Sequence, residues 1–431
     1  MSLTQDKNDV IEAIDAKFQE RRHQVPVLHQ RAEAEGITAI TSREDMVPLL
    51  FPHTTYKSYP ESLIAKGRWS SMNRWIDSLS THRVTEVDVT GVSDVDEWIE
   101  ALEAAGHLVS SSSGTSGKGS FLNKSVRDRE ANMQNMIDGL TELGMPPERR
   151  WHVIPVGPDT GQSAHVAMRD LIIDNYRRPD GIPLFEGTPP VGHHRYMARL
   201  QAMRRAMADG TATPDDIAAF EAEAHGRAAE QERRLHHWAD HILARPTEEI
   251  FFNAQFTQLF RLVEILREKG AREGSISGAN ALTVGGGLKG STLPADYQEQ
   301  IFGMLNIAPE RFFHYYSMQE LNLRMPRCLG GRYHVPDGLV LFVLDKDGEK
   351  LADVVDGRVE GRAAFFDLTV DGRWGGTISG DRIVVEQGVC PCGHAGETIL
   401  PDIARYSDLG NDDKITCAGT MDAYVRGFIE Q

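Results

Sequence analysis

The sequence predicts an α/β fold, with sheets flanked by helices and a small β-rich subdomain toward the C-terminal end. Three observations carry that prediction. Short apolar runs of strand length stand between stretches whose apolar residues recur at helical spacing. Glycine-rich stretches follow directly on two of those runs, at SSSSGTSGKGS and GGGLKG. The last third alternates short strands with Gly/Asp turns, as in LDKDGEKL, TVDGRWGG and ISGDRIVV.

Taken in order, the first 60 residues read as helix, loop and helix, with IEAIDAKFQERRHQVPVLHQRAEAEG carrying the periodicity. Ser42 and Thr54 are candidate helix caps, and Pro48 and Pro52 punctuate the segment between them. Strands are expected at 83–89 (RVTEVDV), 107–111 (HLVSS) and 151–156 (WHVIPV). A helix, VRDREANMQNMIDGL, is expected to follow the first glycine-rich stretch. Residues 191–244 read as a charged helical hairpin, restarted at Thr213-Pro214 and inserted into the core. Beyond Gly278 come a strand and glycine turn (ALTVGGGLKG), a helix, and the buried strand LVLFVL at 339–344. The expected organisation is a core over 1–330 containing the hairpin near 191–244, and a β-rich subdomain over 331–431.

A chain of 431 residues has room for two or three domains. With 46 Lys+Arg against 63 Asp+Glu, its formal charge of −17 repels phosphate backbones, which excludes a general nucleic-acid-coating role. No apolar run reaches the ~18 residues of a membrane span. The first residues carry acids and no apolar core, so no signal peptide is expected and the cytoplasm is the expected compartment. Four cysteines in so long a chain are not a disulfide framework.

The stretch 110–120 is the most informative. Glycines let backbone N–H groups turn inward, hydroxyls add donors, and Lys118 adds a mobile positive charge, so such a loop can wrap polyphosphate oxygens. The pattern G-x-x-x-x-G-K-[ST] does not fit, because Ser112 stands where its first Gly belongs and Gly119 follows Lys118. Composition alone also suits a flexible Ser/Gly linker. A linker rarely stands directly between a strand and an amphipathic helix.

Ser112, Ser113, Gly114, Thr115, Ser116, Gly117 and Lys118 resemble the S-S/T-G-T-T-G-K phosphate loop of adenylate-forming enzymes, which make acyl-AMP from ATP and a carboxylic acid. Where the family continues with Pro-Lys, this chain has Gly119-Ser120. The resemblance spans residues 37–427. ITSREDMVPLLFPHTTYKSYP is similar to the segment before the first sheet in phenylacetate–CoA ligases and in the acyl-protein synthetases of bacterial bioluminescence. Gly285, Gly286 and Gly287 resemble the Gly-Gly-Gly-Trp-Lys turn of those synthetases, which borders the adenine pocket. Gly285, Gly287 and Gly290 also satisfy the dinucleotide fingerprint G-x-G-x-x-G, which leaves an NAD-dependent oxidoreductase as an alternative.

Tyr316, Ser317, Met318, Gln319 and Glu320 resemble the family's Y-G-x-T-E, in which the aromatic stacks on adenine and the Glu binds magnesium. A hard cation suits carboxylate oxygen and neutralises the departing pyrophosphate. Ser317 and Gln319 depart from the family's Gly and Thr. Asp381 in Ser379-Gly380-Asp381-Arg382 resembles the Asp that grips both ribose hydroxyls, though Gly-Asp by itself also reads as a hairpin turn. GTMDAYVRG at 419–427 resembles a degraded form of the hinge that precedes the family's mobile lid, and no lid domain is expected after it.

Cys328, His334, Cys390 and Cys392 supply three thiolates and one imidazole, the donor set of a closed structural zinc site. His394 is an alternative fourth ligand, and ordinary buried cysteines are the other reading. Cys417, near the end of the sequence, is a candidate thiol acceptor or an inert cysteine.

The resemblance implies a ligase that uses ATP, Mg2+ and structural Zn2+. A small carboxylic acid would be adenylated with help from Lys118 and Glu320. Its acyl group would then pass to a thiol: coenzyme A, a carrier protein or reductase partner, or Cys417. A homodimer, with no nucleic-acid or membrane partner, is expected. The departures at Gly119, Ser317 and Thr420 leave a catalytically inactive nucleotide-binding relative as the second reading. Residues 251–260 (FFNAQFTQLF) are expected to line an aromatic or acyl pocket.

Overall fold

The computed structural model describes residues 7–112, 118–157, 164–187, 193–285, 292–410, 415 and 418–429. Internal contacts divide the chain into two compact units: Met1–Asn135 with Tyr316–Gln431, and Met136–Tyr315. The division does not follow the expected boundary at 330, and packing explains why.

In the first unit, Leu339–Leu344, Arg358–Asp367, Gly376–Val389 and Ala395–Ile399 form an antiparallel sheet in chain order. Phe51–Pro52 joins it in parallel, with Phe51 opposite Thr377. Alternate residues of a strand face opposite sides. One side carries Val340, Phe342, Leu344, Ala364, Phe366 and Ile378 into the same core as Phe18, Trp75 and Trp98 from the N-terminal helices. The other side carries Leu341, Val343, Phe365, Ile383 and Val385 against Leu321, Met325 and Tyr333. Trp374 is fully buried in the first core; its ring centroid lies 6.0 Å from Phe18 and 4.8 Å from Phe366, and its Nε1 donates to Leu49 O at 2.9 Å. The C-terminal strands therefore share their core with residues from the chain's beginning.

The glycine-rich stretch closes a β-hairpin instead of leading into a helix. Leu108–Ser111 pairs antiparallel with Phe121–Lys124, Ser111 opposite Phe121, and the helix Val126–Glu142 begins only afterwards. The expected strand at 83–89 is absent. The Asp77 carboxylate accepts from Val84 N at 2.6 Å and Asn73 Nδ2 donates to Val87 O at 3.1 Å, so side chains take up groups that a neighbouring strand would need. Ser42 caps the short helix Arg43–Met46 in a reciprocal box with Asp45. Thr54 caps nothing: it lies inside a 3-10 turn, His53–Lys57, that follows Pro52.

The second unit is built on parallel strands His152–Val156, Ile250–Ala254, Asn280–Val284 and Ile307–Tyr316, each paired with the next. Its core combines Ile154, Phe252, Leu282 and Ile307 with Leu235, Trp238 and Ile242 of the long helix Pro214–Leu243. Thr213 starts that helix with its hydroxyl on Asp216 N, and Asp216 reciprocates. The helix His193–Ala208 precedes it, giving the helical pair expected near 191–244. Among the described residues, no helix is long and apolar enough to cross a membrane.

Candidate functional site

The hairpin that holds the glycine-rich stretch is fastened at its base. Ser112 N donates to Ser120 O at 3.0 Å and Ser120 N to Ser112 Oγ at 2.8 Å. Tyr59, buried against Trp75 and Phe121 with centroids 5.0 and 5.4 Å away, donates its hydroxyl to Gly119 O at 2.9 Å. Lys118 Nζ donates to Tyr59 O and stands 4.1 Å from the centre of the Tyr59 ring. Ser113, Gly114, Thr115, Ser116 and Gly117 lie outside the described residues.

The Tyr316–Glu320 turn reaches the same hairpin. Gln319 Nε2 donates to Ser111 O at 2.6 Å. Tyr316 donates its hydroxyl to Asp381 Oδ2 at 2.7 Å, while Asp381 N donates to Ser379 Oγ at 3.0 Å. Burial, and then the Asp381 charge, push the Tyr316 phenol well above its ordinary pKa, so it remains a donor. Arg405 Nε lies 3.6 Å from Asp381 Oδ1. Ser317 and Met318 complete the turn, Met318 O accepting from Leu321 N at 3.2 Å. Glu320 O accepts from Arg373 Nη2 at 3.2 Å. Four of the sequence-predicted positions, Lys118, Gln319, Tyr316 and Asp381, thus share one hydrogen-bonded neighbourhood with the hairpin.

Beneath it lies a buried network that sequence reasoning missed. Asp128 accepts from Asn322 Nδ2, Asp371 N, Ser125 N and Gly372 N, each at 2.8 Å. Burial works to raise its pKa, but the Arg373 charge and these donors win and hold it at about 2. Arg373, 1% exposed, also donates to Asn123 O at 2.8 Å. Hairpin, turn and the 371–373 bend are therefore tied to one carboxylate–guanidinium pair. The sequence signal was the Ser125-x-x-Asp128 spacing of a capping box, since Asp128 N also donates to Ser125 Oγ. Tyr59 sat inside the segment similar to the synthetases, yet nothing there marked it as the partner of Lys118.

The donor atoms of Cys328, His334, Cys390 and Cys392 all lie within 4.8 Å of one another. Cys328 Sγ and Cys390 Sγ are 3.6 Å apart, and Cys392 Sγ and His334 Nε2 are 3.5 Å apart. Zn–S bonds of about 2.3 Å give tetrahedral edges of about 3.7 Å, so these spacings fit zinc. Burial, with neighbouring sulfur, pushes the Cys390 thiol up to about 11, a proton that a cation would displace. The His394 ring centroid lies 4.6 Å from that of His334.

In the second unit a cleft opens at the carboxyl ends of the parallel strands, lined by Gly157, Arg169, Asn253, Gln255, Gly285 and Tyr315 among others. Such ends are where parallel α/β sheets place ligands. Of the stretch expected to line an aromatic or acyl pocket, Phe251, Phe252 and Leu259 are fully buried in the core, and Asn253, Ala254 and Gln255 line the cleft among the described residues. Gly285 follows Asn280–Val284, and the next described helix begins at Tyr297. Gly286, Gly287, Gly290 and Cys417 lie outside the described residues.

No family profile matches the chain, and no curated protein matches it by sequence. Solved structures do. ATP-bound MatB from Rhodopseudomonas palustris matches with TM-score 0.38 and 14% identity over 68% of this chain and 46% of that one. The ATP-bound RpMatB-BxBclM chimeras B3 and B1 each match with TM-score 0.39 and 15% identity over 70% of this chain and 48% of theirs. The chain spans about half the length of these structures.

Proposed function

We propose that this protein activates a carboxylic acid with ATP and transfers the acyl group to a thiol. A carboxylate oxygen attacks the α-phosphorus; the bond to the bridging oxygen breaks and pyrophosphate leaves. The thiolate sulfur then attacks the acyl carbon of the mixed anhydride and AMP leaves. In this reading Lys118 and the amides of 112–117 carry the charge that builds on the phosphates, and Glu320 holds their magnesium. Asp381 accepts from the ribose hydroxyls and Tyr316 lies along the adenine. Zinc on Cys328, His334, Cys390 and Cys392 clamps two strand segments and takes no part in chemistry.

The observation that carries this reading is the Gln319–Ser111 hydrogen bond. It joins the hairpin of the glycine-rich stretch to the turn whose tyrosine holds Asp381. Phosphate would draw Lys118 away from Tyr59, exchanging a neutral carbonyl for an anion, the stronger acceptor.

The test is exchange of labelled pyrophosphate into ATP across a panel of acids with magnesium present. Exchange dependent on one class of acid is expected, with Lys118→Ala lowering it about 10²-fold. Near-normal exchange in that variant would remove the phosphate assignment. One observation favours the inactive alternative: Asp381 already receives the Tyr316 hydroxyl. ATP binding without exchange for any acid would decide for that alternative.

A further inference from the structure

We propose that Cys392 is a peroxide-sensitive thiol, which on oxidation forms a disulfide with Cys328 and so replaces the metal clamp with a covalent one that no longer holds His334. The inference stands apart from the adenylation reading, since it concerns the thiols of one cluster and needs neither ATP nor an acid.

Access sorts the three sulfurs. Cys392 is exposed, Cys328 is half-buried and Cys390 is buried. A bound cation keeps all three deprotonated, and oxidants attack the thiolate that they can reach. Cys392 is therefore met first.

The geometry selects Cys328 as its partner. Cys328 N donates to Arg332 O at 2.9 Å and Gly331 N to Cys328 O at 2.8 Å, which folds the first segment into a tight turn. Cys390 N donates to His394 O and Gly393 N to Cys390 O, each at 2.8 Å, which does the same for the second. A Cβ on Gly330 would lie 3.3 Å from Cys392 N and 3.4 Å from Cys328 Sγ, so the missing side chain lets one turn rest on the other. The sulfurs lie within 4.8 Å of one another. Travel of about 1.4 Å apiece at most brings two of them to the S–S length of about 2.05 Å. A bond between Cys390 and Cys392 would instead close a small ring through Pro391, whose fixed φ leaves it little room to adjust.

The oxidant is a hydroperoxide. The Cys392 thiolate attacks one peroxide oxygen, the O–O bond breaks and hydroxide leaves, giving the sulfenic acid. The Cys328 thiolate then attacks the Cys392 sulfur; the S–O bond breaks and a second hydroxide leaves. The two sulfurs lose two electrons, the peroxide gains them, and solvent protons turn both hydroxides into water. Cys390 and His334 remain, two donors where a structural site needs four.

The effect is carried into the sheet by His334. It belongs to the two-residue strand Tyr333–His334, paired with Thr398 and Ile399. Tyr333 is 6% exposed, and its ring centroid lies 6.1 Å from that of Tyr316, the donor to Asp381. Releasing His334 loosens the strand that backs Tyr316.

The test treats the zinc-loaded full chain with hydrogen peroxide and follows zinc release to a colorimetric chelator, free thiols and crosslinked peptides. Expected are loss of the zinc together with two of the four thiols, a Cys328–Cys392 crosslink, and faster amide exchange at 333–334, all reversed by dithiothreitol with added zinc. Cys328→Ser is expected to divert Cys392 to the sulfinic acid; the crosslink in the parent chain decides whether or not that variant folds. Retained zinc with all thiols intact, sulfinic acid at Cys392 in the parent, or a crosslink through Cys390 or Cys417 in place of Cys328–Cys392 would overturn the proposal. A chain that takes up no zinc is mapped in the same way, and the same crosslink decides. None of these outcomes depends on pyrophosphate exchange.

Discussion

Asp128 shows how one side chain sets the pH response of its surroundings. Fully buried, it accepts four hydrogen bonds and lies 4.0 Å from Arg373, so its folded-state pKa falls from 3.8 to about 2. A depressed carboxylate pKa contributes stability above its unfolded value. That contribution disappears as pH falls through the folded one. About 2–3 kcal/mol should therefore be lost between roughly pH 4 and pH 2. Asp128→Asn should cost about 3–5 kcal/mol near neutral pH, because it leaves Arg373 buried without its counter-charge and turns an amide toward N–H donors. Urea midpoints from pH 6 to pH 2 check both; an unchanged acid slope in the variant would place the titration elsewhere. Lys118 differs in kind: its ammonium stands beside the Tyr59 carbonyl and ring, on the hairpin rather than in the buried network.

Among elements, the Cys328–His334 and Cys390–Cys392 segments are the clearest pair. Tyr333–His334 pairs with Ala395–Ile399, His334 opposite Thr398, so the sheet already holds the donors in place. One zinc per chain is expected by metal analysis. Chelation, or Cys390→Ser, should lower the melting temperature by on the order of 5 °C, equivalent to about 2 kcal/mol. Faster amide exchange should be confined to 328–334 and 390–399; a metal-free chain with unchanged melting would leave ordinary cysteines. These residues were legible because cysteine and histidine spacing survives without knowledge of the fold. The strand Leu339–Leu344 was legible because it is an apolar run with every residue buried. The strand Phe121–Lys124 was hidden by its brevity, so the loop before it read as a strand-to-helix connection. The segment 83–89 misled because Asp77 and Asn73, which capture its main chain, belong to the preceding helix. Tyr59 and Arg373 were silent for the same reason: their partners are distant in sequence.

At the scale of the whole molecule, the shared core decides where the units divide. Trp374 meets Phe18, Phe366 and the carbonyl of Leu49, three distant parts of the chain. Trp374→Ala should cost about 3–5 kcal/mol. Hydrogen exchange should quicken across both the helix Lys7–Arg21 and the strands Arg358–Asp367 and Gly376–Val389. A response limited to the strands would contradict a common core.

The split first unit also bears on synthesis. The segment Met136–Tyr315 leaves the ribosome unbroken and has all its own sheet partners to hand. Phe51 and Pro52 must instead wait for Thr377 and Ile378, which are translated more than three hundred codons later. Until then Phe18, Trp75 and Trp98 belong to a half-built core, sticky and open to chaperones, so both stretches of the split unit must be made before the N-terminal helices can settle.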